Sequence, residues 1–487
     1  MAKRTAIIDI GSNSARLVIF QNTSKHGFHL ICEQKSRVRI GEGAYENGGN
    51  LQQKGMTRAY HTLESFSQTI KEFHVSKVIA VATSALRDAP NRDIFLNQIK
   101  QEFGLDIRVI SGKEEAFYGA IAANNLLPVS NAITVDIGGG SSDISLIKKG
   151  KVIESYSLDI GTVRLKELFS DKNTSLHILQ KYIDKALKSL PVSFHAPLAI
   201  GIGGTTRALA KAIIKKDHYP LHKLHAFSYP LQTQEKYFQK IISADIKELG
   251  LLYIKENRHD TIREGTLIFL AILQHIGAQK VITSGVGVRE GVYLHYKLSK
   301  APYKLPVNSN PSIKSIRDRF DILSLPYGNK KNIARNLYVL FKTQLDHEER
   351  YFSILEKTLS LSNIGKVLTI YQKDKHASYI AMQELNYGFT HKEMVLISLL
   401  LYTKTKQGYH KALYKQYSTL LPSKKTVKWL AFIYSLTLIL HQSSSKAKIT
   451  FHYHKDILSI ISDKTLYLAR EEIKEIKKPG KLKIVIA

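Results

Sequence analysis

Two stretches of this chain set an aspartate, a glycine turn and hydroxyl side chains in the same order: DIGSNSARLVIF (9–20) and DIGGGSSDISLI (136–147). Each reads Asp-Ile-Gly with a serine at a matching offset, Ser14 in one and Ser141 in the other, and each continues into an apolar run. Glycine permits a tight turn between strands and lets backbone N–H groups come close to a phosphate. Gly11, Gly138, Gly139 and Gly140 provide that freedom, and Ser12, Asn13, Ser14, Ser141 and Ser142 add hydroxyl or amide hydrogen bonds. Asp9 and Asp136 would repel a phosphate unless a divalent cation stood between them. That combination suits Mg²⁺ shared among carboxylates, phosphate oxygens and water. A further Gly turn, GIGGTTR (201–207), contributes Gly203, Gly204 and Thr205. Two matched loops and this third turn predict a phosphate site.

Catalytic groups are sought around it. In VISGKEEAFYG (109–119), Glu114 and Glu115 fall in the first turn of an expected helix. Adjacent helical residues point about 100° apart, so at most one of them faces the site. Carboxylates there are ordinary complements of the helix dipole, yet one aimed into a phosphate cleft takes a proton from attacking water. Arg87, in VATSALRDAPN (81–91), follows a strand and a turn, and its fork suits phosphate oxygens. Arg16, Arg207, Arg258 and Arg289 also fall near Gly turns or helix starts. There is no Cys cluster, no His-x-x-Glu-His-type motif and no Walker A loop.

The elements that must carry these residues alternate. Residues 5–20, 28–41, 77–83 and 107–111 read as strands, and Met56, Ala59, Leu63, Phe66, Ile70 and Phe73 mark one face of a helix. A helix follows Pro90, another runs from Lys113 to Leu127, and the pattern restarts after Pro128. Alternation of this kind implies an α/β fold with covered, parallel or mixed sheets. The repeat of the Asp-Ile-Gly loops, 127 residues apart, implies two related domains facing each other across a cleft. The expected divisions are 1–127, 128–305 and, beyond the Pro/Asn-rich APYKLPVNSNP, a mainly helical 306–487 ending in short strands.

At 487 residues the chain exceeds one ordinary core. A single cysteine, Cys32, excludes an internal disulfide and suits a reducing compartment, so a cytoplasmic protein without membrane spans is expected. Charge is the informative bulk property. The formal net charge is +30, and residues 306–487 alone hold 30 basic against 14 acidic side chains. Between 401 and 450 stand nine lysines and no acid, among them Lys404, Lys406, Lys411, Lys415, Lys424, Lys425 and Lys428. Such a field concentrates polyanions.

The blocks DIGSNSARLVIF, VATSALRDAPN, VISGKEEA, VDIGGGSSD, SLDIGTVRLKE, GIGGTTRALA, ENRHDTIREG and SGVGVREGV, in this order over about residues 5–297, resemble the exopolyphosphatase/guanosine pentaphosphate phosphohydrolase (Ppx/GppA) family. The resemblance implies the duplicated actin-like (ribonuclease H-like) ATPase fold. It also implies Mg²⁺-dependent hydrolysis of terminal phosphate from inorganic polyphosphate or guanosine pentaphosphate (pppGpp). By this resemblance Glu115 is the general base and Arg87 a catalytic partner. Asp9, Gly11, Ser12, Asn13, Ser14, Gly138, Gly139, Gly140 and Ser141 line the phosphate site, Asp136 and Asp143 lie near the metal, and Arg258 matches an arginine of the second domain. Asp143 stands where the family usually has glutamate, one methylene longer. The carboxy-terminal region resembles HD phosphohydrolases, but Ser362-Asn363 replace the His-Asp pair, so a second catalytic centre is not expected there. A homodimer is expected by analogy, and no specific nucleic acid. An actin-like ATPase or kinase, and a non-enzymatic sensor of alarmones such as ppGpp, are the rival readings.

Overall fold

The computed structural model describes residues 3–44, 46–172, 174–321, 328–345, 348–443 and 447–486. The chain divides into two units, Met1–Ser309 and Asn310–Ala487. In the first, five strands form one mixed sheet: β1 (Arg4–Ile10), β2 (Ala15–Asn22), β3 (Phe28–Ser36), β4 (Lys77–Ala82) and β5 (Ile107–Val109). Their order is β3-β2-β1-β4-β5, with β1–β2–β3 antiparallel and β1–β4–β5 parallel. A second sheet holds β6 (Ala132–Ile137), β7 (Ser142–Lys148), β8 (Lys151–Leu158), β9 (Leu198–Ile202), β10 (Ser228–Pro230) and β11 (Lys280–Thr283), in the order β10-β11-β9-β6-β7-β8. Read from β8, the run β8-β7-β6-β9-β11 repeats the first sheet strand for strand, including every parallel and antiparallel pairing. This is the duplicated actin-like fold, with the short antiparallel β10 as an added edge.

The internal repeat survives at the level of single residues. In the β1–β2 turn the N–H of Gly11 donates to the Ser14 carbonyl at 3.1 Å, and in the β6–β7 turn Gly138 donates to Ser141 at 2.9 Å. Asp9 stands opposite Arg16 in the first hairpin, and Asp136 opposite Asp143 in the second. The two loops are therefore one backbone device used twice, with a cation across from the aspartate in one copy and a second acid in the other.

Each sheet buries its own core. Ile8, Ile10, Leu17 and Ile19 pack against Leu63, Phe66 and Phe95 in the first half, while Val135, Ile144 and Leu146 pack against Ile268, Phe269 and Leu273 in the second. The apolar period of residues 56–73 becomes the helix Gln53–Glu72, with Ala59, Leu63 and Phe66 buried. The helix Gly112–Leu126 is apolar on most sides because it is covered on most sides. It leaves the first sheet through β5 yet packs on β6, β7 and β8 of the second and against the helix Val288–Leu298. Only glycine fits that crossing, since a Cβ on Gly291 would lie 1.9 Å from the Tyr118 carbonyl oxygen.

The second unit is mainly helical, from Pro311–Phe320 to the long Lys424–Ser443, with a small sheet of β12 (Ile449–His454), β13 (Ile457–Ser462) and β14 (Lys483–Ile486). Ser362, where an HD centre would place its histidine, is buried, and its hydroxyl accepts from the buried Lys330 ammonium at 3.2 Å. Among the described residues no helix is long and apolar enough to cross a membrane.

Candidate active site

The duplicated turns of the first unit meet. A Cβ on Gly139 would lie 3.2 Å from the Ser12 side chain, so the absence of one lets the two loops touch. Around this point opens a cleft of about 220 Å³. Asp9, Gly11, Ser12, Asn13, Ser14 and Arg16 line it from the first half, and Asp136, Gly138, Gly139 and Ser141 from the second. Gly203, Gly204 and Thr205 join them at the N-terminal end of the helix Gly203–Lys216, which starts straight from β9. Helix N-termini present unpaired N–H groups and a positive dipole end, so this third turn adds an anion-favouring wall. Arg258 closes over it, its guanidinium packed where a Cβ on Gly204 would sit. Gly140 is absent from the lining; its carbonyl turns the other way to accept from Arg164 Nε at 2.8 Å.

The two adjacent glutamates part as helical geometry requires. Glu114 closes a capping box with Ser111, accepting from its N–H at 2.8 Å and its hydroxyl at 2.9 Å, and also pairs with Arg108 at 3.0 Å. Glu115 lines the cleft. The ordinary capping role thus falls to one residue and the cleft-facing position to the next.

Arg87 and Asp143 stand one layer back. Arg87 is not in the cleft wall: its Nη1 donates to the Ile110 carbonyl at 3.2 Å and to Glu115 Oε2 at 3.3 Å. It touches the carboxylate itself, because the helix Ser84–Asp88 sets it beside the start of the Glu115 helix. Asp143 is buried outside the lining and accepts from Ser157 Oγ at 2.5 Å. Its shorter side chain faces β8, where Ser157 lies across the ladder from it.

Nine charged side chains line the cleft, with Asp9, Glu115 and Asp136 opposed by Arg16, Lys35, Arg37, Arg207, Arg258 and Arg289. The excess of cations selects an anion. Burial raises all four carboxylates here. Asp136 is pushed up to about 6 despite Arg207, and Asp143 to about 7 despite Ser157. Glu115 is raised well above its ordinary value by burial and then by Asp143, with Arg87 opposing. Burial raises Asp9 too, with Arg289 and Arg16 opposing. On the cationic side, burial pushes Arg207 down to about 10, and burial with neighbouring arginines brings Lys35 to about 8.

Among the described residues no three His, Cys, Asp or Glu side chains group closely enough to hold an ion unaided. The donors present fit a cation that takes one or two carboxylates, Asp9 and Asp136 being those beside the glycine turns, and completes its shell with water and phosphate oxygens, the habit of Mg²⁺.

The raised carboxylates carry a stability prediction. A carboxyl whose folded pKa exceeds its unfolded value contributes stability that is complete below the unfolded pKa and is lost as pH rises through the folded one. For Asp136 that window runs from about pH 4 to about pH 6. In metal-free protein Asp136→Asn should therefore raise stability at pH 7.5, by on the order of 2 kcal/mol, and change it little at pH 4. Thermal unfolding of both proteins at the two pH values checks this; a gain as large at pH 4 as at pH 7.5 counts against it.

Some lining residues carry no local signal. Lys35, Arg37, Ser84 and Thr261 lie outside any glycine loop and reach the cleft through sheet pairing and turns. Lys35 could have been found, since β2–β3 pairing sets it directly across from Arg16.

The model of the Ppx/GppA phosphatase family matches residues 18–300, more than half of the chain. The chain belongs to the Ppx/GppA phosphatase family. Among solved structures, the Ppx/GppA family member of Aquifex aeolicus is 30% identical, with a TM-score of 0.53 over 62% of this chain and 99% of its own. A second study of the Aquifex aeolicus PPX-GPPA enzyme gives 31% identity and a TM-score of 0.51 over 60% and 99%. An exopolyphosphatase from Cytophaga hutchinsonii, at 24% identity and a TM-score of 0.56 over 62% and 99%, shares the fold. The Ppx/GppA match ends before the helical unit begins.

Proposed function

We propose that this phosphatase is a Mg²⁺-dependent phosphohydrolase that removes the terminal phosphate of inorganic polyphosphate or the 5′-terminal phosphate of guanosine pentaphosphate. One observation carries the reading: Glu115 faces, together with Asp9 and Asp136, a cation-rich cleft built from two equivalent Asp-Gly turns. The phosphoryl end lodges between the turns, receiving N–H and hydroxyl hydrogen bonds from the residues around Ser12 and Ser141. Arg16, Arg207, Arg258 and Arg289 offset its charge. When bound, Mg²⁺ beside Asp9 and Asp136 supplies further charge compensation. Glu115 accepts a proton from water as the water oxygen bonds to phosphorus, and the bond to the bridging oxygen breaks, that oxygen leaving with the shortened chain. Burial makes Glu115 a stronger base than an exposed glutamate, and the Arg87 guanidinium orients it and opposes that rise. Positioning and charge compensation dominate the rate of such transfers.

A neighbouring cavity favours pppGpp as a substrate. It measures about 720 Å³, shares Arg16, Lys35, Gly204, Arg207 and Arg258 with the cleft, and adds Ile214, Leu224 and Tyr253 with Lys211, Lys215 and Lys255. Apolar and aromatic walls give a nucleoside surface to pack on, which a bare phosphate chain lacks. The lysines of 404–428 offer a polyanion a separate, salt-sensitive surface on the helical unit. Phosphate release from pppGpp and from long-chain polyphosphate, measured side by side with Mg²⁺, tests the proposal. Release from neither substrate overturns it.

A further inference from the structure

Arg16 and Arg289 come from different halves of the first unit, one from β2 and one from the first turn of the helix Val288–Leu298. Both line the cleft, both are largely buried, and the charge of Arg289 works against that of Arg16. Two guanidiniums do not share a desolvated space without a counter-charge. Asp9 is one such charge, within the cleft. Glu290, buried beside Arg289 in the chain, is another, and a third lies outside the lining. On β3, Glu33 accepts at one oxygen, Oε1, from Arg289 Nη1 at 2.9 Å and from Arg16 Nη1 at 3.2 Å. The reach is long in sequence, 256 residues for the Arg289 contact. Its local basis is simple: Val18 pairs with Glu33 and Arg16 with Lys35, so Glu33 is the diagonal neighbour of Arg16 on the β2–β3 ladder. Lys35, directly opposite Arg16, adds a third cation to the crowd.

We propose that Glu33 is a positioning residue for phosphate recognition: it draws Arg16 and Arg289 onto one carboxylate oxygen and so holds two mutually repelling guanidiniums aimed into the same cleft. The inference deepens the phosphohydrolase reading and rests on it for the identity of the anion. Glu33 itself is nearly half exposed at its side chain, 44%, against 8% for Arg289, so it acts from the rim on groups that lie further in.

The sign of the effect separates this role from simple electrostatics. If only the field mattered, removing a negative charge near an anion site would tighten anion binding. If Glu33 holds the arginines in place, removing it lets them splay and weakens binding. Glu33→Gln, Glu33→Asp and the parent protein are to be compared by calorimetric titration with inorganic tripolyphosphate in Mg²⁺ buffer, by initial-rate kinetics, and by thermal unfolding. For Glu33→Gln we expect about a tenfold rise in both the tripolyphosphate Kd and KM, with kcat within about twofold. Glu33→Asp should recover part of that loss, and the unfolding temperatures should differ little. Unchanged or tighter binding in Glu33→Gln overturns the inference, as does a loss equal in both variants that follows their unfolding temperatures. A parent protein that does not bind tripolyphosphate overturns it too. Should the parent hydrolyse neither polyphosphate nor pppGpp but bind tripolyphosphate in a Glu33-dependent way, the hydrolase reading fails and the role of Glu33 stands.

Discussion

Glu115→Gln should lower kcat for phosphate release by on the order of 10³-fold while leaving KM within a few-fold. Glutamine keeps the size of the side chain and can still receive the Arg87 guanidinium at its oxygen, so the wall of the cleft is preserved. What it cannot do is accept a proton from water. The size of the effect follows from how few alternatives the site offers. Asp9 and Asp136 are the other carboxylates in the wall, and both sit at the feet of the two Asp-Gly turns, where we place the proposed cation. Asp143, nearest in charge to Glu115, is turned toward Ser157. A variant with activity within about tenfold of the parent would remove Glu115 from the chemistry, and binding of substrate by the inactive variant would show that the cleft is intact.

The second large effect is expected at Gly203, the residue that turns β9 into its helix. Its φ is +86°, a region closed to side-chain-bearing residues at a cost of about 1–2 kcal/mol. Strain is the smaller part. A Cβ there would lie 2.1 Å from Asp136 Oδ1 and 3.2 Å from its Cγ, so the carboxylate or the helix must move by more than 1 Å. Displacements of that size in a phosphoryl-transfer site cost about 10²-fold. Gly203→Ala should fold, with circular dichroism close to the parent, and lose about 100-fold in kcat/KM. Because the Cβ is aimed at a side chain from the other loop, the defect should appear in kcat as well as in KM. A kcat/KM within threefold of the parent would mean that neither Asp136 nor this helix N-terminus is placed for catalysis.

Much of this site was legible from one sequence. A glycine turn between strands is a local requirement of consecutive residues, so Asp9-Ile-Gly11 and Asp136-Ile-Gly138 announce equivalent turns before any contact is known, and the Gly-to-Ser hydrogen bonds follow. The angular separation of Glu114 and Glu115 is likewise a property of one helix. Residues 306 and beyond offered less: the absence of the His-Asp pair at Ser362-Asn363 could be read, but not that Lys330 brings its ammonium to Ser362.

What the chain settles by itself is therefore backbone chemistry at short range: which turns can cradle a phosphate, which helix face can carry a base, which strands must alternate with helices, and that the whole favours anions. Tertiary structure alone decided which charges converge. It set Arg87 on Glu115 rather than in the cleft wall, turned Asp143 to Ser157, brought in Lys35 and Arg37, and tied Arg289 to Glu33 across more than half the length of the first unit. The reason is physical. A turn is fixed by the dihedral freedom of neighbouring residues, whereas the partner of a charged side chain is whichever opposite charge the packing of two sheets happens to place within 3–4 Å.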